Sequence, residues 1–528
     1  MRRVTAGLAM VVCVMLAACG SGESILRAGN DDPAPSVDQP SAAPGPTSPG
    51  QSTSPGQSTS PDQPTVPDQP TVPGESTVAP AVPTTLPRPL DSLPPCRVDA
   101  LDEAAAGGPV EVLFWHAMSN ELGRELEQIT NEYNASQSMV RVQLEFQGDY
   151  ELAIDKYLQS NTENRPDLAQ IPEYATQLMI DTASHVPVQA CAEDAGYSAG
   201  ELLPAAVRVY SSEGVQWSMP FNLSNPVLYF NRKIFREAGL DDTAPPQTLA
   251  EVGAAGLAIQ ASGAAAYGIA LESSPNAGGG WVLEQWLAKE GEFYSNNDNG
   301  RSAPSDRVLF DSPRSAAMLA ETQGLLTSGG GIYVGENPGG QDALLKMADG
   351  SAPASMAIAS SAALGPVLQA VTNGLIPGVG ADDLGIGPMP SPNGAQGALI
   401  GGASLWLTAG RGGAKVAAAW NFITYLVSPE VQSRWAAATG YVPVNSAAAE
   451  MEPLRSLYTS DARFRVAFDQ VVQAPDTASF TSPALGPLRE VRSIAAQAVG
   501  RALAGADPAT ALEEAAILAN EVIQNYNA

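Results

Sequence analysis

The sequence is poor in the residues that carry metal and acid–base chemistry. Its 528 residues include two histidines, His116 and His185, and four cysteines, with no HExxH or CxxC motif. A zinc or two-metal site needs several such ligands close together, and a serine triad would have to use one of these two histidines. Acidic residues are so numerous that a glycosidase pair of carboxylates is not recognisable by counting. We therefore expect no enzyme, no metal and no cofactor.

Positive charge is also scarce. The chain has 27 Lys and Arg residues against 56 Asp and Glu residues, which gives a formal net charge of −29. Nucleic acids and anionic membrane surfaces bind proteins through basic patches. The charge balance therefore argues against both as partners.

No segment offers the roughly 20 consecutive apolar residues that a transmembrane helix needs. The chain begins with a short positive region, MRR. An apolar stretch follows over residues 6–16, which is shorter than a transmembrane helix needs, and the motif LAAC then occupies residues 16–19. Small residues before a cleavage site are typical of a secretory signal. A cysteine directly after that site resembles the bacterial lipobox, which implies a lipoprotein signal peptide over 1–18 and an acyl anchor on Cys19. The alternative is an ordinary signal peptide with a chance cysteine.

The segment after the signal, residues 19–95, is rich in Pro, Ser and Thr. Residues 48–77 form five hexapeptides: SPGQST, SPGQST, SPDQPT, VPDQPT and VPGEST. Frequent proline excludes helix, and so few apolar side chains cannot offset the entropy cost of ordering. We expect a lipidated, disordered stalk that holds the folded part away from the extracytoplasmic face of the cell membrane. A glycosylated, mucin-like stalk is the alternative.

The chain from residue 96 to 528 alternates between strand and helix patterns. VEVLFW (110–115), VRVQLEF (140–146) and PDLAQI (166–171) predict strands, and apolar residues recur at helical spacing over 122–133. This alternation predicts an α/β fold with parallel sheets, covered by helices and binding ligands at the carboxyl ends of strands. The length predicts two domains.

Small polar residues stand beside several predicted strands. Asn222, Ser224 and Asn225 come just before the apolar run PVLYF, and glycines open IGGASLW. Glycine lets backbone N–H groups approach a ligand closely. In IASSAALG, Ser360 is placed to accept an anion at a helix start, and a simple N-cap role for it is the alternative.

These stretches together resemble the solute-binding proteins of ABC importers, specifically the Ugp type that binds glycerol-3-phosphate. The similar segments are FWHAMSNELGRELEQI, MPFNLSNPVLYFNRKIFREAGLD, LIGGASLWLTAG and ATGYVPVNS, within roughly 109–526. The resemblance implies a two-lobed periplasmic-binding-protein fold, maltose-binding-protein-like (class II), with the ligand cleft between the lobes. Lobe I would comprise 96–223 and 398–448, and lobe II would comprise 224–397 and 449–528.

The resemblance also implies the function. The protein would be the monomeric substrate-binding component of an ABC importer, which delivers glycerophosphodiesters or sn-glycerol-3-phosphate to the permease subunits. A sugar-binding relative of the same fold is the first alternative. An extracellular enzyme or adhesin on a stalk is the second.

The ligand-binding residues that the resemblance implies fall into two groups. Tyr150 and Glu173 would meet the glycerol end, because a carboxylate accepts hydrogen bonds from hydroxyls but repels phosphate. The phosphate would be surrounded by Ser224, Ser360, the Gly402 backbone, Tyr441 and Arg492. The planar fork of an arginine suits two phosphate oxygens, and Arg489, one helical turn away, is the alternative to Arg492.

One departure from the family concerns tryptophan. Enteric members carry two tryptophans in a short stretch, whereas in ESSPNAGGGWVLEQW only Trp281 matches and Trp286 follows five residues later. A missing ring would open space for a larger head group, and a tryptophan face attracts a quaternary ammonium. We therefore predict that glycerophosphocholine binds in preference to glycerol-3-phosphate. A packing role for Trp281 is the alternative.

Two cysteines remain after the signal peptide and the anchor, Cys96 and Cys191. Disulfides persist outside the cytoplasm, so we expect a bridge between them. Two free thiols are the alternative.

Overall fold

The computed structural model describes residues 94–198, 201–275, 279–337, 340–376 and 379–528. The predicted signal peptide, the predicted anchor Cys19 and all but the last two residues of the predicted stalk lie outside these ranges. Their predictions therefore stay predictions.

The strands are short and spread over the whole described chain. They are β1 (Val110–His116), β2 (Val140–Phe146), β3 (Leu168–Pro172), β4 (His185–Val186), β5 (Ser211–Ser212), β6 (Val215–Gln216), β7 (Met219–Ser224), β8 (Pro226–Asn231), β9 (Tyr267–Ser273), β10 (Gly331–Glu336), β11 (Ala354–Ser360), β12 (Leu384–Pro388) and β13 (Gly401–Thr408). The three segments predicted as strands correspond to β1, β2 and β3.

The helices alternate with these strands. They are α1 (Ala100–Ala105), α2 (Asn120–Ser136), α3 (Tyr150–Gln159), α4 (Thr176–Asp181), α5 (Val188–Ala195), α6 (Pro204–Val209), α7 (Arg232–Glu237), α8 (Leu249–Ser262), α9 (Gly279–Glu290), α10 (Pro313–Thr327), α11 (Asp342–Met347), α12 (Leu364–Thr372), α13 (Gly413–Leu426), α14 (Pro429–Thr439), α15 (Leu454–Ser460), α16 (Val466–Val472), α17 (Leu488–Leu503) and α18 (Pro508–Asn527). A left-handed turn spans Asn296–Gly300. The 3₁₀ turns are Glu173–Ala175, Ser361–Ala363, Ala381–Asp383, Ser446–Glu450, Ala462–Arg465 and Ala478–Phe480.

The helix predicted over 122–133 lies within α2, and its apolar residues face the core. Leu122, Leu126, Ile129 and Tyr133 are buried, as their spacing of three and four residues requires. Ser119 occupies the N-cap position but makes no capping hydrogen bond with its side chain.

Two mixed sheets carry the fold. The first has the order β2-β1-β3-β13-β4, with β7 also paired to β13, and the second has the order β10-β9-β11-β8-β12. Pairs β1–β2, β1–β3, β9–β10 and β9–β11 are parallel, as predicted, whereas β13 and β8 run antiparallel to their neighbours. The expectation of wholly parallel sheets is therefore wrong. The reason is that β13 and β8 each arrive from the other sheet rather than through a helix that returns the chain to its own sheet.

Within the described ranges, the chain runs from a strand of one sheet directly to a strand of the other at two places. Strand β7 of the first sheet ends at Ser224 and β8 of the second begins at Pro226, so Asn225 alone joins them. The return passage lies between Pro388 at the end of β12 and Gly401 at the start of β13. The lobe boundaries given above stay a prediction.

Strand β8 is apolar because both of its faces are covered. Val227 and Tyr229 belong to one cluster of buried residues, and Leu228 and Phe230 belong to a second. Successive side chains of a strand point to opposite faces, so a strand buried on both faces reads as a continuous apolar run. Its end is marked by Asn231, whose Oδ1 accepts a hydrogen bond from Ile234 N and begins α7.

A disulfide joins Cys96 to Cys191, with a Cα–Cα distance of 4.8 Å. It ties the start of the described chain to α5. Among the helices of the described ranges, none has the length and apolar character needed to cross a bilayer.

Candidate functional site

The polar residues before β8 lie at the junction of the two sheets. Asn222 is fully buried; its Oδ1 accepts a hydrogen bond from Gln170 Nε2 at 2.7 Å, and its Nδ2 donates to Tyr150 Oη at 2.8 Å. Gln170 in turn accepts a hydrogen bond from the backbone N–H of Ala117. Asn222 therefore connects β7 to β3 and holds the hydroxyl of Tyr150 at the start of α3.

Asn225 faces the other way and fastens the second sheet. Its Nδ2 donates to the carbonyl of Ala467, and its Oδ1 accepts from Gln470 Nε2 at 2.9 Å. Its backbone N–H donates to Ser361 Oγ. These bonds satisfy the side chain of Asn225 within the protein, so it serves the junction.

The glycines of β13 allow a close approach of backbone and side chains. Gly402 has φ of +103°, and a Cβ at this residue would lie 1.9 Å from the carbonyl oxygen of Asn222. A Cβ at Gly401 would lie 2.9 Å from Trp281 Cζ2 and 3.7 Å from Ser224 Oγ. Gly402 therefore cannot carry a side chain, and the side chains of Ser224 and Trp281 both lie next to Gly401.

Arg492 is the charged centre of the site. It is 1% exposed; Nη1 donates to Glu173 Oε1 at 2.7 Å, and Nε and Nη2 donate to the two carboxylate oxygens of Glu284 at 2.8 and 3.1 Å. We call these three residues the Arg492 cluster. The structure thus brings Glu173 and Arg492 into direct contact, whereas the family resemblance implied that they bind opposite ends of the ligand. It also adds Glu284, which was not among the predicted site residues.

The cluster joins elements of both sheets. Glu173 follows β3 of the first sheet in a 3₁₀ turn, whereas Glu284 and Arg492 lie on α9 and α17, which pack against each other and against β9 of the second sheet. Arg489, the alternative to Arg492, pairs instead with Glu151 and Asp155 and is about one-third exposed. Of the two arginines, Arg492 is therefore the one inside the site.

The charges of the cluster are coupled. Burial opposes the charged form of Arg492, but Glu284 and Glu173 raise its pKa above the ordinary value, so the guanidinium stays protonated. Burial raises the pKa of the Glu173 carboxyl, and the nearby Arg492 partly offsets this rise. Two carboxyl groups thus share one guanidinium.

Three buried polar atoms have no hydrogen-bond partner within the described ranges and lie around this cluster: Trp281 Nε1, Tyr210 Oη and Tyr294 Oη. Tyr210 ends α6. Burial raises the pKa of Tyr210, and the charge of Glu173 and the hydroxyl of Tyr150 raise it further, which places Tyr210 close to both. A buried donor without a partner costs free energy that a ligand oxygen would recover.

Tyr294 lies near Glu284 and Arg492. Burial raises its pKa, Glu284 raises it further and Arg492 lowers it, so the hydroxyl senses both charges. Tyr210 and Tyr294 were not among the predicted site residues, because no local pattern in the sequence marks them. Glu284 had a local signal, since it follows Trp281 by one turn on the same face of α9.

Ser360 and Tyr441 border the junction in more ordinary roles. Ser360 Oγ accepts a hydrogen bond from the Ala362 N–H at 3.3 Å, the N-cap alternative considered above. The ring of Tyr441 stacks on Trp435 with 5.9 Å between the ring centroids. The next residue, Val442, forms an isolated β-bridge with Leu223 of β7. The structure places both residues beside the crossing, and their contact with a ligand stays a prediction.

The two histidines are buried and neutral. Burial lowers the pKa of His116 to about 4, and its Nδ1 accepts the Met118 N–H. Burial lowers the pKa of His185 to about 3, and its ring stacks on Tyr157 and meets the edge of Trp406. Within the described ranges, no group of three His, Cys, Asp or Glu residues is arranged to hold a metal ion.

Comparison with known proteins identifies relatives of this chain. The family described as bacterial extracellular solute-binding protein matches residues 128–464. The sn-glycerol-3-phosphate-binding periplasmic protein UgpB of Yersinia pestis bv. Antiqua is 27% identical over 402 residues, which cover 74% of this chain and 87% of the relative. The protein of the same name from Escherichia coli O1:K1 is 26% identical over 435 residues, covering 80% and 94%.

Solved structures share the fold. UgpB from Mycobacterium tuberculosis in complex with glycerophosphocholine superposes with a TM-score of 0.65 at 20% identity, covering 80% of this chain and 100% of that structure. The cyclic α-maltosyl-1,6-maltose binding protein of Arthrobacter globiformis superposes with a TM-score of 0.64 at 23% identity, covering 79% of this chain and 100% of that structure. The predicted two-lobed, maltose-binding-protein-like α/β fold is confirmed. Proteins of this family bind small ligands and work with ABC permeases rather than as enzymes. Because the family match covers more than half of its length, the chain belongs to the bacterial extracellular solute-binding proteins.

Proposed function

We propose that this protein captures a glycerophosphodiester, with glycerophosphocholine favoured over sn-glycerol-3-phosphate, and delivers it to the permease of an ABC importer. The observation that carries this proposal is the buried Arg492 between elements of the two sheets. Two of the relatives above are named for binding glycerol-3-phosphate, and one solved neighbour holds glycerophosphocholine.

The donors of Arg492 leave room for a ligand. A guanidinium has five N–H bonds, of which Glu284 and Glu173 accept three. One N–H on each terminal nitrogen is left without an acceptor within the described ranges. Two phosphate oxygens would suit these two donors, and the unpartnered Tyr210 hydroxyl and Trp281 Nε1 would add further hydrogen bonds.

The charge of the Arg492 cluster favours a diester over a monoester. A phosphate monoester carries a charge of about −1.5 to −2 at neutral pH, whereas a phosphodiester carries a single negative charge. In glycerophosphocholine the quaternary ammonium cancels that charge. A cluster with two carboxylates and one guanidinium therefore repels the monoester more, and the face of Trp281 offers a site for the ammonium.

Ligand binding would stabilise the closed form of the two lobes. The polar groups come from elements of both sheets, so one small molecule would contact Tyr150 and Glu173 on one side and Trp281 and Arg492 on the other. A ligand shifts the equilibrium between open and closed forms only by its differential affinity for the closed form. Release to the permease then requires reopening.

A sugar is the second candidate, and one observation favours it. Glu284 already occupies the Nε–Nη2 fork of Arg492, and paired carboxylates with a buried tryptophan also suit the hydroxyls of a carbohydrate. Several solved neighbours bind oligosaccharides, such as the maltose-bound MalE3 of T. maritima.

The anchor and the stalk complete the proposal. We infer that Cys19 carries the lipid that holds the monomer at the extracytoplasmic face of the cell membrane. Replacement of Cys19 with alanine should release the protein into the medium. A variant that stays with the membrane fraction would refute the anchor.

Titration calorimetry on the whole chain in mild detergent tests the ligand. We expect heat of binding with glycerophosphocholine, weaker binding of sn-glycerol-3-phosphate and none of maltose. Equal or tighter binding of the monoester would refute the preference for the diester. Binding of maltose alone would refute the phosphate site and support the sugar-binding alternative.

A further inference from the structure

Glu284 takes the side of Arg492 that would otherwise offer the best fork to a phosphate. Its carboxylate receives two N–H bonds, at 2.8 and 3.1 Å, and both side chains are 1% exposed. Bidentate pairing of this kind is the strongest geometry for an arginine and fixes the plane of the guanidinium. Glu284 therefore sets both the orientation of Arg492 and the net charge around it.

We propose that Glu284 is the residue that determines the charge class of the ligand, admitting net-neutral glycerophosphodiesters and rejecting the dianionic phosphate monoester. This inference rests on the proposed function and deepens it. Two carboxyl groups meet the single guanidinium in this buried site, at 2.7 and 2.8 Å, so acidic groups flank the one basic group on two sides. A dianion meets the largest repulsion there, and a zwitterion meets little.

The position of Glu284 adds an attraction to this repulsion. Glu284 follows Trp281 by one turn of α9, so the carboxylate and the ring lie on the same face of that helix. A quaternary ammonium on the Trp281 ring would therefore have a carboxylate within the same part of the site. Glu173 lies instead in the 3₁₀ turn that follows β3 of the first sheet, where the glycerol hydroxyls are proposed to bind.

The test is the substitution Glu284→Gln, which removes the charge and keeps the shape. Glu290→Gln is the matched control, because it changes the protein's net charge by the same amount on the same helix. Glu290 pairs with Arg314 rather than with Arg492. Calorimetry at pH 7.5 compares glycerophosphocholine with sn-glycerol-3-phosphate. We expect Glu284→Gln to shift the ratio of the two dissociation constants toward the monoester by tenfold or more. We expect Glu290→Gln to leave the ratio within twofold of wild type.

Two outcomes distinguish the inference from the proposed function. If wild type binds glycerophosphocholine and folded Glu284→Gln keeps the wild-type ratio, the role of Glu284 is overturned and the proposed function stands. If wild type binds neither phosphate ligand, the proposed function itself has failed. Circular dichroism and a melting curve establish that each variant is folded.

A second measurement needs no variant. Wild type is titrated with glycerophosphocholine, glycerophosphoglycerol and sn-glycerol-3-phosphate, which carry net charges near 0, −1 and −2 at pH 7.5. The proposal expects affinity to fall in that order, by severalfold at each step. Affinities within twofold of one another would overturn it even if Glu284→Gln does not fold.

Discussion

Removal of the Arg492 side chain should damage stability and binding together. In Arg492→Ala, Glu173 and Glu284 lose the cation between them while both stay almost fully buried. Removing one partner of a buried ion pair typically costs about 3–5 kcal/mol in the free energy of unfolding. Loss of the charged donors to the ligand should weaken binding by about 2–5 kcal/mol, which is roughly 30-fold to several thousandfold in the dissociation constant.

The pH dependence of this loss has a definite sign. Burial already raises the pKa of Glu173 in the folded protein, and without Arg492 that pKa should rise further. A carboxyl with a raised folded-state pKa binds more protons when folded, so stability falls as pH rises from the unfolded value of about 4.3 toward the folded value. The variant should therefore lose more stability, relative to wild type, at pH 7.5 than at pH 5.

Urea unfolding followed by circular dichroism at both pH values measures the stability, and calorimetry measures the binding. Arg489→Ala is the control, because Arg489 lies one turn away on α17 and its ion pairs are partly exposed, which should limit its effect on stability to less than about 1 kcal/mol. Equal losses in the two variants, or unchanged ligand binding by Arg492→Ala, would refute the reasoning.

Three further predictions concern the backbone, a buried acid and the disulfide. Gly402→Ala should weaken ligand binding at least tenfold in titration calorimetry, because its Cβ would collide with neighbouring backbone. Gly335 has a similar φ of +108° but open space around it, so Gly335→Ala should leave binding unchanged in the same assay. Burial raises the pKa of Glu272 to about 7, so stability should fall as pH rises from about 4.3 to 7; Glu272→Gln should flatten this slope in urea unfolding, and an unchanged slope would contradict the assignment. Replacing Cys96 and Cys191 with serine should lower the free energy of unfolding by about 2–4 kcal/mol, measured by the same method, because their bridge closes a loop of 95 residues; no loss would argue against the bridge.

The parts of the fold that the sequence predicts are those with a local pattern. Strands β1, β2 and β3 and helix α2 follow from alternation and helical spacing, because each pattern reports one buried face. The direction of β13 and β8 could not be predicted in this way, because it depends on which sheet the chain has just left. The residues of a strand determine its tendency to be extended, but they do not indicate which sheet the chain occupied before it.

The site shows the same division. Glu173 and Arg492 were selected by resemblance, but their mutual contact spans 319 positions of sequence, and the contact of Arg492 with Glu284 spans 208. No spacing rule connects residues so far apart. Tyr210 carries no local signal at all, and only its unpartnered hydroxyl inside the folded protein draws attention to it.

The single residue between β7 and β8 has a consequence for how the protein opens. Asn225 is held by Gln470 and Ser361 on the side of the second sheet, so it should travel with that sheet. Pro226 fixes its own φ and keeps the preceding residue extended. The rotatable bonds left at this passage are few and lie next to Ser224. The two lobes should consequently rotate about this passage within a narrow range of directions, so that each reopening exposes nearly the same cleft to the solvent.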